Sequence, residues 1–169
     1  MNKPVDLKEA QQRAAVFFEE IGWQSAKEPL PQIVVDPQLD ADFRFETQTI
    51  SVSSPEHVFY ALTKYGRDQA TGQLAQKSYL AALKERCLMI DIGRKFYSLT
   101  DLKAIVRSMA CFQFTHLQLH FSENEGFRIE SQQFPEIVSE EYLTKQEIRE
   151  LIAYAQNHEI GRASCRERV

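Results

Sequence analysis

Two short segments carry the residue types that bind or transform a polar substrate. The first is Asp91-Ile92-Gly93-Arg94-Lys95-Phe96-Tyr97, and the second is His120-Phe121-Ser122-Glu123-Asn124-Glu125-Gly126-Phe127-Arg128. A guanidinium offers a rigid fork of donors to hydroxyls or anions. A histidine beside a carboxylate can hold or move a proton. If both segments follow parallel strands, they lie at the same end of a sheet, and Arg94, His120, Glu123 and Arg128 face one pocket. Plainer roles exist for the same residues. Arg94 can serve only as a structural ion-pair partner of Asp91, and His120 as a satisfied core histidine. Glu123, Asn124 and Glu125 can form a solvated acidic turn, with Asn124 and Gly126 supplying its geometry. The spacing around His120 matches no established ligand pattern, so no metal is expected. There is no glycine-rich phosphate loop and no nucleophile elbow, and no cofactor is expected.

The elements around these segments have legible signals. Cys87 to Ile92 is a nearly continuous apolar run, the pattern of a strand buried on both faces, and Thr115 to Phe121 reads as the second buried strand. Between them a helix capped near Ser98 or Thr100 carries Leu102, Ile105, Val106 and Met109 on one face. After them Thr144 and Glu147 form a capping box, Leu143 and Ile148 a hydrophobic staple, and Ile148, Leu151, Ile152 and Ala155 a buried stripe. Strand, helix, strand, helix in this order implies parallel strands joined by right-handed crossovers. Periodicity alone leaves a barrel and a doubly wound sheet both open.

The first half is more mixed. Asp6 and Glu9 start a helix through Leu7, Ala10, Ala14, Phe17 and Ile21, stopped by Gly22. Short strands follow at Gln32–Val35, Phe43–Phe45 and Thr49–Val52. Ser54-Pro55 opens another helix that ends near Gly66. This reads as a small α+β domain over 1–66, a polar linker over 67–86, and an α/β segment over 87–160.

Composition narrows the function classes. In 169 residues, 43% hydrophobic and 26% charged, the values are those of a globular protein. The net charge of −4 and the lack of a Lys/Arg stripe argue against a nucleic-acid partner. No apolar run is long enough to span a bilayer, so no membrane partner is expected. The N-terminus has no apolar leader core, which makes the cytoplasm the expected location. Cys87, Cys111 and Cys165 fit neither a disulfide framework nor a zinc site. Cys87 and Cys111 read as reduced core residues.

In combination the two loop segments resemble the barrel start of family 20 glycoside hydrolases, the β-N-acetylhexosaminidase and lacto-N-biosidase-like enzymes. Met89 to Phe96 is similar to the first barrel strand, where an arginine at the place of Arg94 binds hydroxyls of a terminal N-acetylhexosamine. Leu117 to Glu130 is similar to a motif of the form His-x-His-x-x-Asp-Asp-x-x-x-Arg. Tyr142 to Ile148 resembles the start of the second barrel helix, and Thr49 to Leu62 the end of a small preceding domain. Gln118, Glu123, Asn124 and Phe127 depart from the commonest residues, in the manner of the bacterial branch.

The resemblance implies an α/β fold that begins a (β/α)8 barrel, a substrate-binding Arg94, and pocket-supporting His120 and Glu123. It implies glycans containing N-acetylhexosamine as partners, and retaining hydrolysis in which the substrate's acetamido group attacks the anomeric carbon. Members of this family are also often secreted or surface-attached. The family's catalytic Asp-Glu pair lies on the fourth barrel strand, and no Asp-Glu dipeptide occurs here. The adjacent acidic pairs, Glu19-Glu20 and Glu140-Glu141, read as solvated surface. The catalytic residues are therefore expected downstream, and this stretch is expected to be inactive alone. Residues 161–169 are basic, lack a strand pattern and read as a non-native tail. The rival reading is a non-catalytic α/β module that binds carbohydrate or another partner through the same loops.

Overall fold

The structure, a computed structural model, describes residues 7–22 and 31–162. It divides into two compact units that meet at Lys84 and Glu85. Among the described residues no helix is long and apolar enough to cross a membrane.

In the first unit, α1 (Leu7–Glu20) buries Ala10, Ala14 and Phe17 at helical spacing. It closes where Gly22 takes a φ of +67°, a conformation that suits glycine. Its expected cap, Asp6, lies outside the described residues. Three strands, β1 (Gln32–Val35), β2 (Phe43–Phe45) and β3 (Thr49–Val52), form where the β-branched and aromatic runs place them. Phe43, Phe45, Ile50 and Val52 alternate onto the face that is fully buried. A 3-10 turn at Pro55–His57 leads into α2 (Val58–Ala70), which packs on β2 and β3 and against α1.

Two expectations fail in this unit. Helix α2 does not stop at Gly66, which is buried inside it; it runs to Ala70, and Gly72, at φ +66°, ends it. Burial and the contacts around it outweigh the modest cost of a mid-helix glycine. The stretch expected to be a linker supplies the last turn of α2 and a strand, β4 (Lys77–Tyr79), antiparallel to β2 in a sheet of order β1-β3-β2-β4. Tyr79 stacks on Phe43 at 5.0 Å, and its hydroxyl donates to the buried carboxylate of Asp68 at 3.3 Å. A strand this short and polar has no pattern of its own. Its partners define it.

In the second unit, β5 (Cys87–Asp91) and β6 (His116–His120) pair in parallel, Cys87 with His116 through Asp91 with His120. Between them runs α3 (Leu99–Cys111), and after them α4 (Lys145–Asn157). The two helices pack together over a core that includes Ile92, Leu102, Val106, Leu143, Leu151 and Ile160. Leu88 and Ile90 of β5 and Ile148 of α4 pack against this core.

The strands are covered on one face only. Met89 is 56% exposed and Cys87 is exposed, because both lie on the side of β5 opposite Leu88 and Ile90. The expectations of two-sided burial and of a core Cys87 are therefore corrected. The tail expectation changes as well: β9 (Gly161–Arg162) pairs in parallel with β6, giving the order β5-β6-β9. Residues 163–169 lie outside the described ones.

Both helices begin on the same device. Ser98 and Asp101 at the start of α3, and Thr144 and Glu147 at the start of α4, form complete capping boxes. Of the two start sites expected for α3, Ser98 is the cap. Hydrogen bonds from the backbone N–H and hydroxyl of Thr144 hold the Glu147 carboxyl below the usual carboxylate range. A carboxyl lowered by folding adds stability above its unfolded pKa and loses it as pH falls through the folded one. Thr144→Ala is expected to cost about 1 kcal/mol by denaturant titration. In Glu147→Gln the loss of stability on acidification below about pH 5 should be smaller than in the unsubstituted chain; equal acid sensitivity would contradict the capping role.

Candidate functional site

The carboxyl ends of β5 and β6 are locked together by their backbone. Ile92 and Gly93 both donate to the carbonyl of His120, at 3.0 and 3.1 Å. This draws the segment after β5 against the hairpin that follows β6, made of β7 (Ser122–Glu123) and β8 (Gly126–Phe127) with Asn124-Glu125 at its tip. The approach is so close that a β-carbon on Gly93 would lie 3.0 Å from both the backbone N and the Cβ of Glu123. One on Gly126 would lie 3.0 Å from the Gly93 carbonyl. Any β-carbon at either position would force its neighbours to give way.

At that crossing Arg94 stands between two carboxylates. Its Nη2 meets Glu123 Oε1 at 2.8 Å and its Nε meets Asp91 Oδ2 at 3.2 Å. Asp91 also accepts from the Arg94 backbone N–H at 3.1 Å, which fixes the start of the turn. Glu123 is held from its other oxygen by the Asn124 N–H at 2.9 Å. The N–H of Asn124 first, and the Arg94 guanidinium second, hold the Glu123 carboxyl below the usual range. Glu123 in turn raises the Arg94 pKa further, so the guanidinium stays charged at every physiological pH.

Side-chain exposure separates the roles: 64% for Arg94 against 24% for each carboxylate. The acids are partly covered anchors, and the guanidinium is presented outward. Such a fork, oriented beforehand, suits hydroxyl or anion recognition.

Of the expected site residues, Arg94, His120 and Glu123 do come together. His120 is half-buried at the end of β6, and its ring lies in the same cluster as Asp91 and Glu123, with one ligand-type atom from each within 4.8 Å of the others. These are metal-ligating residue types. Both carboxylates, however, are already engaged by Arg94, whose charge opposes a second cation in the same place.

Arg128 has a different task. Its Nε reaches the Gly93 carbonyl at 3.5 Å and its Nη1 the Glu141 carbonyl at 3.0 Å, so it braces the loops. Asn124 and Glu125 are exposed at the hairpin tip, as a solvated turn requires. Gly93, and Asp91 as a second anchor for Arg94, were the understated members of the site. The signal available for them was a glycine in each of two polar strand-end segments.

Replacing Arg94 by Gln should let the Glu123 pKa rise, while the Asn124 N–H keeps it below that of a free glutamate. Carbon-detected NMR titration of the side-chain carboxyl reads this directly, and an unmoved Glu123 would contradict the pairing. Gly93→Ala should push the two loops apart and destabilise the unit by about 1–3 kcal/mol, through overpacking against backbone. A thermal melt unchanged by that substitution would show that the crossing is not tight.

The two strand-end loops are set in a segment with clear relatives. Residues 84–161 match the family described as glycosyl hydrolase family 20, catalytic domain. A β-hexosaminidase of Akkermansia muciniphila is 36% identical over 84 residues, which covers 41% of this chain and 17% of the relative. A β-hexosaminidase of Vibrio furnissii is 30% identical over 94 residues, covering 43% and 15%. The chain therefore aligns with less than a fifth of the length of these two relatives.

Among solved structures, a mutant Streptomyces plicatus β-hexosaminidase in complex with N-acetylglucosamine superposes with a TM-score of 0.72 at 18% identity. That match covers 95% of this chain and 40% of that one. A family 20 exo-β-N-acetylglucosaminidase of Vibrio harveyi superposes at 0.71 and 18% identity, covering 94% and 31%. At such identities the likeness is one of fold, here a mixed α/β fold. Residues 84–161 are thus similar to a stretch of the glycosyl hydrolase family 20 catalytic domain.

Proposed function

We propose that this chain is part of a glycosidase that removes terminal β-linked N-acetylhexosamine, or a disaccharide ending in it, from glycans. In this reading residues up to about 84 form a small α+β domain. Strands β5 and β6 are the first two of a (β/α)8 barrel, and Arg94 binds hydroxyls of the terminal sugar. The observation that carries the reading is the Arg94 fork, set between Asp91 and Glu123 at the carboxyl ends of adjacent parallel strands. Active sites of such barrels gather at that end.

The chemistry of the bond cleavage belongs to groups outside this chain. Substrate-assisted hydrolysis needs an acid to protonate the leaving oxygen and a charged carboxylate to orient the acetamido group. Glu123 cannot take the acid's role. Glu123 is tied to Arg94 and the Asn124 N–H with its pKa lowered, whereas a general acid needs a raised one. Asp91 and Glu123 hold Arg94 in place. Two βα units also cannot bury both faces of their strands, in keeping with the exposure of Met89.

Two measurements on the chain test this. Titration of the isotope-labelled chain with N-acetylglucosamine should shift amides near Arg94 and Glu123 with weak, about millimolar affinity, and Arg94→Ala should abolish the shifts. Shifts that persist in Arg94→Ala, or none at all, would contradict the binding role. An aryl N-acetyl-β-glucosaminide should not be hydrolysed by the chain alone; turnover would overturn the assignment of the catalytic acids to residues beyond it.

A further inference from the structure

Away from the strand-end loops, the first unit brings a serine, a histidine and an aspartate together. Ser53 directly follows β3, and His57 closes the 3-10 turn that leads into α2. Ser53 Oγ lies 3.0 Å from His57 Nδ1. On the other side of the ring, His57 Nε2 faces Asp42 Oδ1 at 3.7 Å. A hydroxyl, an imidazole and a carboxylate in that order are the parts of an activated nucleophile.

Each part is fixed from behind. Asp42 N–H donates to the Tyr79 carbonyl at 2.9 Å, and Asp42 Oδ2 accepts the Ala81 N–H at 2.8 Å, which leaves Oδ1 to the ring. Ser53 N–H donates to the Asp42 carbonyl at 3.0 Å. The Ser53 hydroxyl has two acceptors in reach, that carbonyl at 3.2 Å and His57 Nδ1 at 3.0 Å. The nitrogen is the nearer. In one neutral tautomer Nδ1 accepts from Ser53 while Nε2 carries its proton toward Asp42.

A serine and a histidine four residues apart can do no more than fasten a turn. Asp42 is what sets this cluster apart. At 3.7 Å its carboxylate is too far to hydrogen-bond a neutral ring, yet close enough to stabilise an imidazolium. Its effect is therefore largest once the ring has taken the serine proton, which is when the nucleophile forms. The His57 and Asp42 side chains are 30% and 25% exposed, and Ser53 is half-buried, so a small reagent reaches the hydroxyl. The amino end of α2 lies just beyond, and its sign favours an oxyanion.

We propose that Ser53 is a nucleophile toward small carboxylic esters, with His57 as its base and Asp42 as the positioning residue behind the ring. Ser53 Oγ bonds to the acyl carbon as its proton passes to His57 Nδ1. The acyl C–O bond to the leaving alcohol then breaks, and the alcohol oxygen takes the proton from Nδ1. Acyl-Ser53 and the free alcohol result. Water, giving a proton to the same nitrogen, attacks the acyl carbon; the carboxylic acid leaves and the proton returns to Ser53 Oγ. This activity is separate from the reading of Arg94 and does not depend on it.

The test treats the full chain with p-nitrophenyl acetate and follows acetylation of each residue by peptide mass spectrometry. Ser53 should acetylate about 100-fold faster than any other serine of the same chain, the gain a positioned base supplies. His57→Gln should remove that advantage. Asp42→Asn should slow Ser53 acetylation about tenfold, and Asp42→Glu should restore part of the rate. The other serines are an internal reference in the unsubstituted chain, so a variant that fails to fold leaves the main result readable. Acetyl groups on lysines alone, a Ser53 no faster than the other serines, or a preference that survives His57→Gln overturns the proposal. An unchanged rate in Asp42→Asn overturns the part given to Asp42.

Discussion

Everything at the candidate site depends on how closely two loops can cross. The segment after β5 and the hairpin after β6 approach until a single β-carbon at position 93 would meet the backbone and side chain of Glu123. That proximity, enforced by the two N–H groups that share the His120 carbonyl, lets one guanidinium span Asp91 and Glu123. Without it Arg94 would be an exposed, long, mobile side chain with many rotamers to lose on binding. With it, most of that entropy is lost on folding rather than on binding.

The surrounding fold serves this crossing. Parallel pairing of β5 with β6 sets Asp91 opposite His120, so the two strand-end loops begin level with each other. Capping boxes at Ser98 and Thr144 fix where each helix starts, and therefore how much chain each loop contains. Arg128 then braces the second loop against the first. Glu123 stays ionised because the Asn124 N–H and the guanidinium favour its charged form. A protonating role in catalysis must be sought elsewhere.

Much of this was legible in the residues, for identifiable reasons. The apolar run at Cys87–Ile92, the strand at Thr115–Phe121, the helical stripes between and after them, and the capping box at Thr144 are local patterns, and local patterns survive folding. The meeting of Arg94, His120 and Glu123 followed from strand order alone. What escaped notice was set by partners distant in sequence. The Lys77–Tyr79 strand exists through Phe43 and Asp68, and Gly66 is tolerated because it is buried. Cys87 and Met89 are apolar residues that lie on the uncovered face, which no periodicity can foretell. The tight crossing at Gly93 was visible only as a glycine, a residue with many other uses.

The central claim is that the Arg94 guanidinium, held by Asp91 and Glu123, is the group that reads the sugar. A crystal structure of the chain saturated with N-acetylglucosamine tests it most directly. The account predicts ring hydroxyls within hydrogen-bond distance of Arg94, with both carboxylate pairings intact. Sugar bound elsewhere on the chain, or an Arg94 turned away from bound sugar, would contradict it.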